Sequence, residues 1–390
     1  MLEKVKSIIK TSIAKLFVNS TDYSTWIFSS SFNTKFNYNS KYLFEYVLKN
    51  MPEISPIYII NDDKLREQLK LKYGEEYFIE TRSVKGIMRV LKSGVWFTSA
   101  GLPTYGFKLN QNRIIVNLWH GVPLKKINLM EEKIGLIRKI FIKHVLSSNY
   151  SHILTTSENL VEIMKKSFGV EEEKIKVWGQ PRNDVIFDAI DVGKTLENLY
   201  KGLPKYKRVI LYAPTYRENR STKFFPFPDF DQTKLHDFLE EKEIIIFIRC
   251  HQSEVSNIDK FSSDRVQLIN NDIVEDIMDV INIFDLLITD YSSIYIDFLL
   301  TEKPVLFLPY DKEEYTKLRG FNFDYASVTP GPKPNSFKEF RSEIVKLIED
   351  NTYFHENRKH INNFFNTIKK KSASGIVDSI NREVNKLNNQ

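Results

Sequence analysis

The sequence predicts an α/β chain made of two Rossmann-like domains that face each other across an interdomain cleft. Three observations carry that expectation. Short β-rich runs alternate with helix-periodic segments through most of the chain, the pattern of mostly parallel sheets. The runs fall into two series. A polar stretch holding Gly193, Gly202 and Pro204 separates them. The first series places strands at residues 25–28, 57–60, 95–98, 114–118 and 152–155, and the second at 209–212, 244–248, 266–268, 286–289 and 305–308. With the linker at 192–207, the chain divides into an amphipathic helix at 1–20, an N-terminal domain at 21–190, a C-terminal domain at 205–365 and a helical tail at 366–390.

A chain of 390 residues with 42% apolar and 13% aromatic residues fills two cores, which excludes a disordered protein. Cys250 is the single cysteine, so there is no internal disulfide and a reducing, cytoplasmic compartment is expected. The net charge of +6 is too mild to indicate nucleic acid. No apolar run approaches the roughly 18 residues of a spanning helix. Near the N-terminus Val5, Ile8, Ile9, Ile13, Leu16 and Phe17 fall on one helical face, and Lys10 and Lys15 interrupt the apolar part, unlike a signal peptide. This helix either lies on a membrane surface or packs on its own domain. A second amphipathic stretch at 125–150 carries Lys125, Lys126, Lys133, Arg138, Lys139 and Lys143 among apolar residues such as Leu136, Ile137 and Ile140. It is expected to dock on an anionic membrane surface, an ordinary interdomain helix being the alternative.

In open parallel sheets ligands sit beyond the carboxyl ends of the strands, and the notable motifs of this chain fall there. The run 114–118 ends directly in His120, followed by Gly121, Val122, Pro123 and Leu124. A histidine so placed suits proton transfer near neutral pH, and the glycine admits a ligand to the backbone. A buried, hydrogen-bonded structural histidine is the competing reading. The run 244–248 ends in Arg249, Cys250 and His251. Arg249 and His251 project to one side if the strand persists, pairing a fixed cation with a titratable donor for phosphoryl charge. The run 286–289 leads into Asp290-Tyr291-Ser292-Ser293, where the two serines are expected to cap a helix and offer backbone donors to an anion. Asp297 lies about one turn further on, able to reach ligand hydroxyls unless it is simply solvated. Pro214 and Thr215, with Arg217, follow another strand, and Arg182 lies in a further strand-end turn; both arginines are candidate phosphate contacts.

Phosphate-loop, dinucleotide, zinc-protease and paired-cysteine signatures are missing. Asp229 and Asp231 form an acidic pair in a Phe- and Pro-rich loop rather than at a strand end, so a metal-independent site without a cofactor is expected.

Taken together, Trp119-His120-Gly121-Val122-Pro123-Leu124-Lys125, Gly179-Gln180-Pro181-Arg182-Asn183-Asp184, Ala213-Pro214-Thr215-Tyr216-Arg217, Arg249-Cys250-His251 and Thr289-Asp290-Tyr291-Ser292-Ser293 with Asp297 resemble the CDP-glycerol:poly(glycerophosphate) glycerophosphotransferases of wall teichoic acid and capsule synthesis. Order and spacing agree over residues 25–376. The resemblance implies a GT-B-like fold, with an N-terminal domain serving acceptor and membrane and a C-terminal domain serving the donor. It implies His120 as general base and His251 as a partner at the donor phosphates. Donor contacts carried over are His120, Gly121, Val122, Pro123, Leu124, Arg182, Pro214, Thr215, Arg249, Cys250, His251, Ser292, Ser293 and Asp297. Val122 departs from the family's frequent threonine, and Cys250 from its usual proline or methionine.

The compact length resembles primases that add glycerol phosphate from CDP-glycerol to an undecaprenyl-diphosphate-linked saccharide at the cytoplasmic membrane face. Capsule polymerases and ribitol phosphate transferases using CDP-ribitol share that length. Outside the family, a sugar-nucleotide glycosyltransferase and a non-catalytic membrane scaffold are the competing functions.

Overall fold

The computed structural model describes residues 2–217, 221–251 and 254–389. The chain forms two units, one of Met1–Gly121, Lys126–Asp184 and Thr367–Gln390, the other of Val122–Lys125 and Val185–Asn366. The first holds a seven-stranded sheet in the order β3-β2-β1-β4-β5-β6-β7. Its strands are β1 (Asp22–Ser29), β2 (Ser55–Ile59), β3 (Phe78–Ile79), β4 (Ser93–Thr98), β5 (Ile114–Asn117), β6 (His152–Thr155) and β7 (Ile175–Val177). The second holds a five-stranded sheet in the order β10-β9-β8-β11-β12. Its strands are β8 (Arg208–Tyr212), β9 (Ile244–Ile248), β10 (Val266–Leu268), β11 (Leu286–Thr289) and β12 (Val305–Phe307).

Every strand pairing is parallel. The reason lies in the residues: β4, β5, β9 and β11 are buried at every position. Strands buried along their whole length belong to sheets covered on both faces, which crossover connections provide. All ten expected strands form. Among the described residues two further strands form, β3 and β7, of two and three residues at the two edges of the first sheet.

The division of the chain differs from the expected one. The proposed linker at 192–207 begins with a helix, Val192–Leu199, whose first turn is capped by Asp191 accepting from the Lys194 amide at 3.0 Å. The units part at Asp184 and Val185 instead. The C-terminal tail returns to the first unit as helix Ala373–Asn388. Ile376, Ile380 and Val384 recur every four residues and bury one stripe against Trp26, Phe28, Leu43 and Phe44. Asp184 fixes its start, accepting from the Ser372 amide at 2.7 Å and the Ala373 amide at 2.9 Å.

The acidic pair in the Phe-rich loop serves helix ends. Asp229 accepts from the Phe337 amide at 2.7 Å and Asp231 from the Lys234 amide at 3.0 Å, each at the start of a helix.

Helix α1 (Leu2–Lys15) packs with an inverted face. Thr11 and Ala14 are buried, and Thr11 Oγ1 meets Thr104 Oγ1 at 2.5 Å. Val5, Ile9, Ile13, Leu16 and Phe17 are exposed. Lys4 Nζ lies 4.4 Å from the centre of the Phe141 ring, placing α1 beside the helix Leu136–Phe141. That helix exposes Leu136, Ile137 and Ile140 while burying Phe141. The basic stretch 125–150 is thus no single helix, and its first residue, Lys125, belongs to the second unit.

Candidate active site

In the first unit β5 delivers His120. The sheet register continues past the strands: the Leu118 amide bonds the Thr98 carbonyl at 2.8 Å and the Ser99 amide bonds the Ser29 carbonyl at 3.1 Å. The chain then turns at Trp119, which has φ +56°, a left-handed conformation rare for a bulky residue, and at Gly121, φ +146°. His120 Nδ1 lies 2.9 Å from the Ser99 carbonyl oxygen. A carbonyl only accepts, so Nδ1 carries the proton and Nε2 keeps its lone pair.

The ring is flanked by Tyr38, centroids 5.2 Å apart at 30°, and by Trp119 at 4.1 Å. Burial first, and then the Arg182 charge, push the His120 pKa down to about 4 against the opposing bond from Ser99. The imidazole is therefore neutral at pH 7. Arg182 is buried, with Nη1 donating to the His120 carbonyl at 2.9 Å. The expected phosphate contact is in the structure a brace for the histidine's backbone.

Val122, Pro123 and Leu124 belong to the second unit, where Val122 and Leu124 are buried. Asn322 clamps this segment: its side-chain amide donates to the carbonyls of Pro123 at 2.7 Å and Lys125 at 2.9 Å, and its backbone amide to that of Leu124 at 3.0 Å. A buried apolar side chain at 122 explains why valine serves there.

The strand-end loops of the second unit are joined by a buried ion cluster that sequence reading missed. Asp290, after β11, accepts from the amides of Thr215 at 2.7 Å and Tyr291 at 2.6 Å. Its other oxygen meets Arg217 Nη1 at 2.6 Å. Arg217 also holds Asp311, after β12, through Nε at 3.1 Å and Nη2 at 2.8 Å, and Tyr291 Oη donates to Asp311 at 2.9 Å. Burial opposes the Arg217 charge, but the two carboxylates raise its pKa above the ordinary value. Burial likewise opposes the Asp311 charge, and Arg217 holds that carboxyl below the usual range. Arg217, expected as a phosphate contact, instead ties together the loops after β8, β11 and β12.

Around this cluster Pro214 and Thr215 are partly exposed, and among the described residues the buried Thr215 Oγ1 has no hydrogen-bond partner. Arg249 directs Nη1 at the carbonyls of Ile269, 3.0 Å, and Val274, 2.6 Å, and Nη2 at Asn271 and at the Glu275 carbonyl, so it shapes the 269–275 loop. His251 is exposed and stacks 4.4 Å from Tyr216. Burial pushes the Cys250 thiol up to about 11, leaving it protonated at neutral pH. Ser292 Oγ takes the Ile294 amide only at 3.5 Å, and Ser293 makes no side-chain cap among the described residues, so the expected capping is weak. Asp297 is fully buried rather than solvated.

The family model described as CDP-Glycerol:Poly(glycerophosphate) glycerophosphotransferase matches residues 11–382. The chain belongs to that family. Among its relatives, the teichoic acid glycerol-phosphate transferase of Staphylococcus aureus is 28% identical over 90% of this chain and 94% of its own length. The teichoic acid poly(ribitol-phosphate) polymerase of Bacillus spizizenii is 30% identical over 71% of this chain and 44% of its own. The chain thus spans less than half the length of some polymerases of the family. The solved structure of the wall teichoic acid polymerase TagF superposes with a TM-score of 0.79 over 99% of this chain and 97% of that one, at 24% identity. That likeness shows the fold, and the family's GT-B-like class is the observed one.

Two outcomes follow from this geometry. Arg217→Ala leaves Asp290 and Asp311 without their buried counter-charge and is expected to cost about 3–5 kcal/mol in urea unfolding; an unshifted midpoint would show the cluster to be dispensable. His120 has a folded pKa below its ordinary value, so the unfolded chain takes up the proton first as pH falls from 6.5 toward 4. Its contribution is therefore fully present above pH 6.5 and lost through that window. His120→Asn is expected to flatten the stability profile there, and ¹⁵N NMR at pH 5.5 to show a neutral ring protonated on Nδ1.

Proposed function

We propose that this chain transfers glycerol phosphate from CDP-glycerol to a hydroxyl of a lipid-linked saccharide at the cytoplasmic face of the membrane, releasing CMP. One observation carries the reading: in a member of the glycerophosphotransferase family, a strand-end histidine is held neutral with its proton on Nδ1 and its Nε2 lone pair available. In the proposed step the acceptor oxygen attacks the phosphorus bearing glycerol. His120 Nε2 takes the hydroxyl proton, and the bond to the bridging oxygen breaks with its electron pair leaving on CMP. General-base assistance of this kind is worth about 10²–10⁴ in rate.

The donor side falls to the second unit. There Thr215, whose buried hydroxyl has no hydrogen-bond partner among the described residues, Ser292, Ser293 and His251 are the proposed phosphate and polyol contacts. Val122 to Leu124, Pro214 and Cys250 contribute through backbone atoms, as does Gly121 from the first unit. Arg249 acts through the loop it shapes, Arg182 through His120, and Asp297 from its buried place behind the serines. The near-complete overlap with the S. aureus glycerol-phosphate transferase supports transfer of glycerol phosphate, and the likeness to the teichoic acid glycerol-phosphate primase of Bacillus subtilis supports the primase-like form. The B. spizizenii polymerase, at 30% identity, makes ribitol phosphate the reading to test against it.

The membrane side rests on the exposed apolar residues of α1 and of Leu136–Phe141, with exposed Lys139 and Lys143 nearby. Each basic residue near an anionic surface is worth about 1 kcal/mol. No described helix is long and apolar enough to cross a membrane.

Incubation with CDP-glycerol or CDP-ribitol and lipid acceptors of defined length, read by mass spectrometry, is expected to give CMP and a product one glycerol phosphate longer. His120→Ala should abolish most of that turnover, whereas release of a nucleoside diphosphate from a sugar nucleotide would favour the glycosyltransferase. In flotation the chain should rise with anionic vesicles and less with neutral ones, and Ile137→Asp should weaken recovery. Equal recovery from both vesicle types would remove the electrostatic part.

A further inference from the structure

Behind His120 lies the first turn of helix α2 (Tyr38–Asn50), a segment without any sequence motif. Three consecutive residues of that turn bear on the histidine. The ring of Tyr38 covers one face of the imidazole. Asn39 is fully buried, and its side-chain amide donates to the carbonyls of Leu118 and Trp119, each at 3.0 Å, and toward Gln180 Oε1 at 3.3 Å. Its carbonyl oxygen accepts from the Arg182 amide at 3.1 Å. Ser40 gives its amide to Ser99 Oγ at 2.9 Å, and its hydroxyl donates to the Ser29 carbonyl at 2.7 Å. Ser99 is the residue whose carbonyl fixes His120 Nδ1.

The local chemistry explains why this turn is free to do so. A helix start leaves backbone N–H groups without partners inside the helix. Asn37, at the N-cap position, makes no side-chain cap, and Ser99 caps the Ser40 amide from the loop after β4. The two rings flanking His120 belong to residues in left-handed backbone, Tyr38 at φ +58° and Trp119 at +56°. Such conformations cost about 1–3 kcal/mol each and persist only where surrounding bonds over-determine them. The Asn39 amide bonds the carbonyls on both sides of the Leu118–Trp119 junction and so supplies that determination at Trp119.

We infer that Asn39 is a positioning residue for His120: it holds the turn at Leu118 and Trp119 and the backbone of Arg182 in one buried hydrogen-bond node, fixing where Nε2 points. This rests on the reading of His120 as the base. Only one of the groups Asn39 joins, Arg182, stands among the residues singled out from sequence for substrate, and Asn39 meets it through the main chain.

The test is a double-mutant cycle between Asn39→Asp and His120→Ala in the full chain, with kcat and KM for CDP-glycerol measured separately. The aspartate keeps the shape and the acceptor for Arg182 but turns an acceptor toward two carbonyls. It is expected to lower kcat on the order of 10²-fold, since small displacements of a catalytic group have effects of that size, with KM changed less than about 3-fold. In the His120→Ala background it should have little further effect, because both changes remove the same contribution. An equal loss in both backgrounds would make Asn39 a general structural residue and overturn the inference. A wild-type kcat in Asn39→Asp beside an inactive His120→Ala would also overturn it while leaving the base reading standing. Near-native turnover of His120→Ala would sink the base reading itself and the inference with it. If the aspartate variant does not fold, Asn39→Ser enters the same cycle, and ¹⁵N NMR of His120 reads the loss of the single Nδ1–H tautomer directly.

Discussion

Parallel register is the constraint on which the rest of this molecule depends. Because every strand runs the same way, all carboxyl ends of one sheet emerge along one edge, and neighbouring loops begin at matched heights. In the first unit this brings the Ser99 carbonyl, one residue past β4, level with the turn that follows β5, where the His120 ring reaches it. In the second unit the same register sets the ends of β8, β11 and β12 side by side, so one guanidinium spans three loops. The chemistry of both edges is therefore a consequence of strand direction before it is a matter of particular side chains.

The two edges use polarity differently. The histidine is kept neutral by burial and by the nearby Arg182 charge, and its ring is oriented by a single carbonyl. The loops of the second unit are drawn together by ionised groups, two carboxylates around Arg217, with tyrosines 291, 310 and 315 packed on the cation. A buried charge with its partners in place tolerates little displacement, which gives loops without regular structure the rigidity of the sheet beneath them.

Much of this was legible in the sequence, and the gaps have physical causes. Runs such as 244–248, apolar at every position, and 286–289, apolar up to Thr289, announce buried parallel strands. The edge strands β3 and β7 carry too weak a signal to be read, being only two and three residues long with partly exposed positions. The stretch at 192–207 has the composition of a linker, yet Asp191 caps a helix there whose Leu196 is buried. The tail is readable as a helix from Ile376, Ile380 and Val384, but a stripe does not say which sheet it will cover. Arg182 and Arg217 stand out in the sequence as phosphate contacts, yet their guanidinium groups meet the His120 carbonyl and the carboxylates of Asp290 and Asp311. What each one binds depends on residues such as Asp290, 73 positions from Arg217, and sequence spacing does not carry that information. Ser99 and Asn39 escaped because a carbonyl and a buried amide are recognisable only once the turn they hold is in place.

The return of residues 373–388 to the first unit bears on how this molecule comes into being. Synthesis delivers β1 to β7 early, yet one face of that sheet lacks the helix that packs on Trp26 and Phe28 until residues 373–388 have left the ribosome. Throughout the making of the second unit an aromatic surface stands open on a nascent chain. The helix of residues 373–388 therefore closes a cluster opened by the earliest strand, so the first unit is completed only after the second has been made.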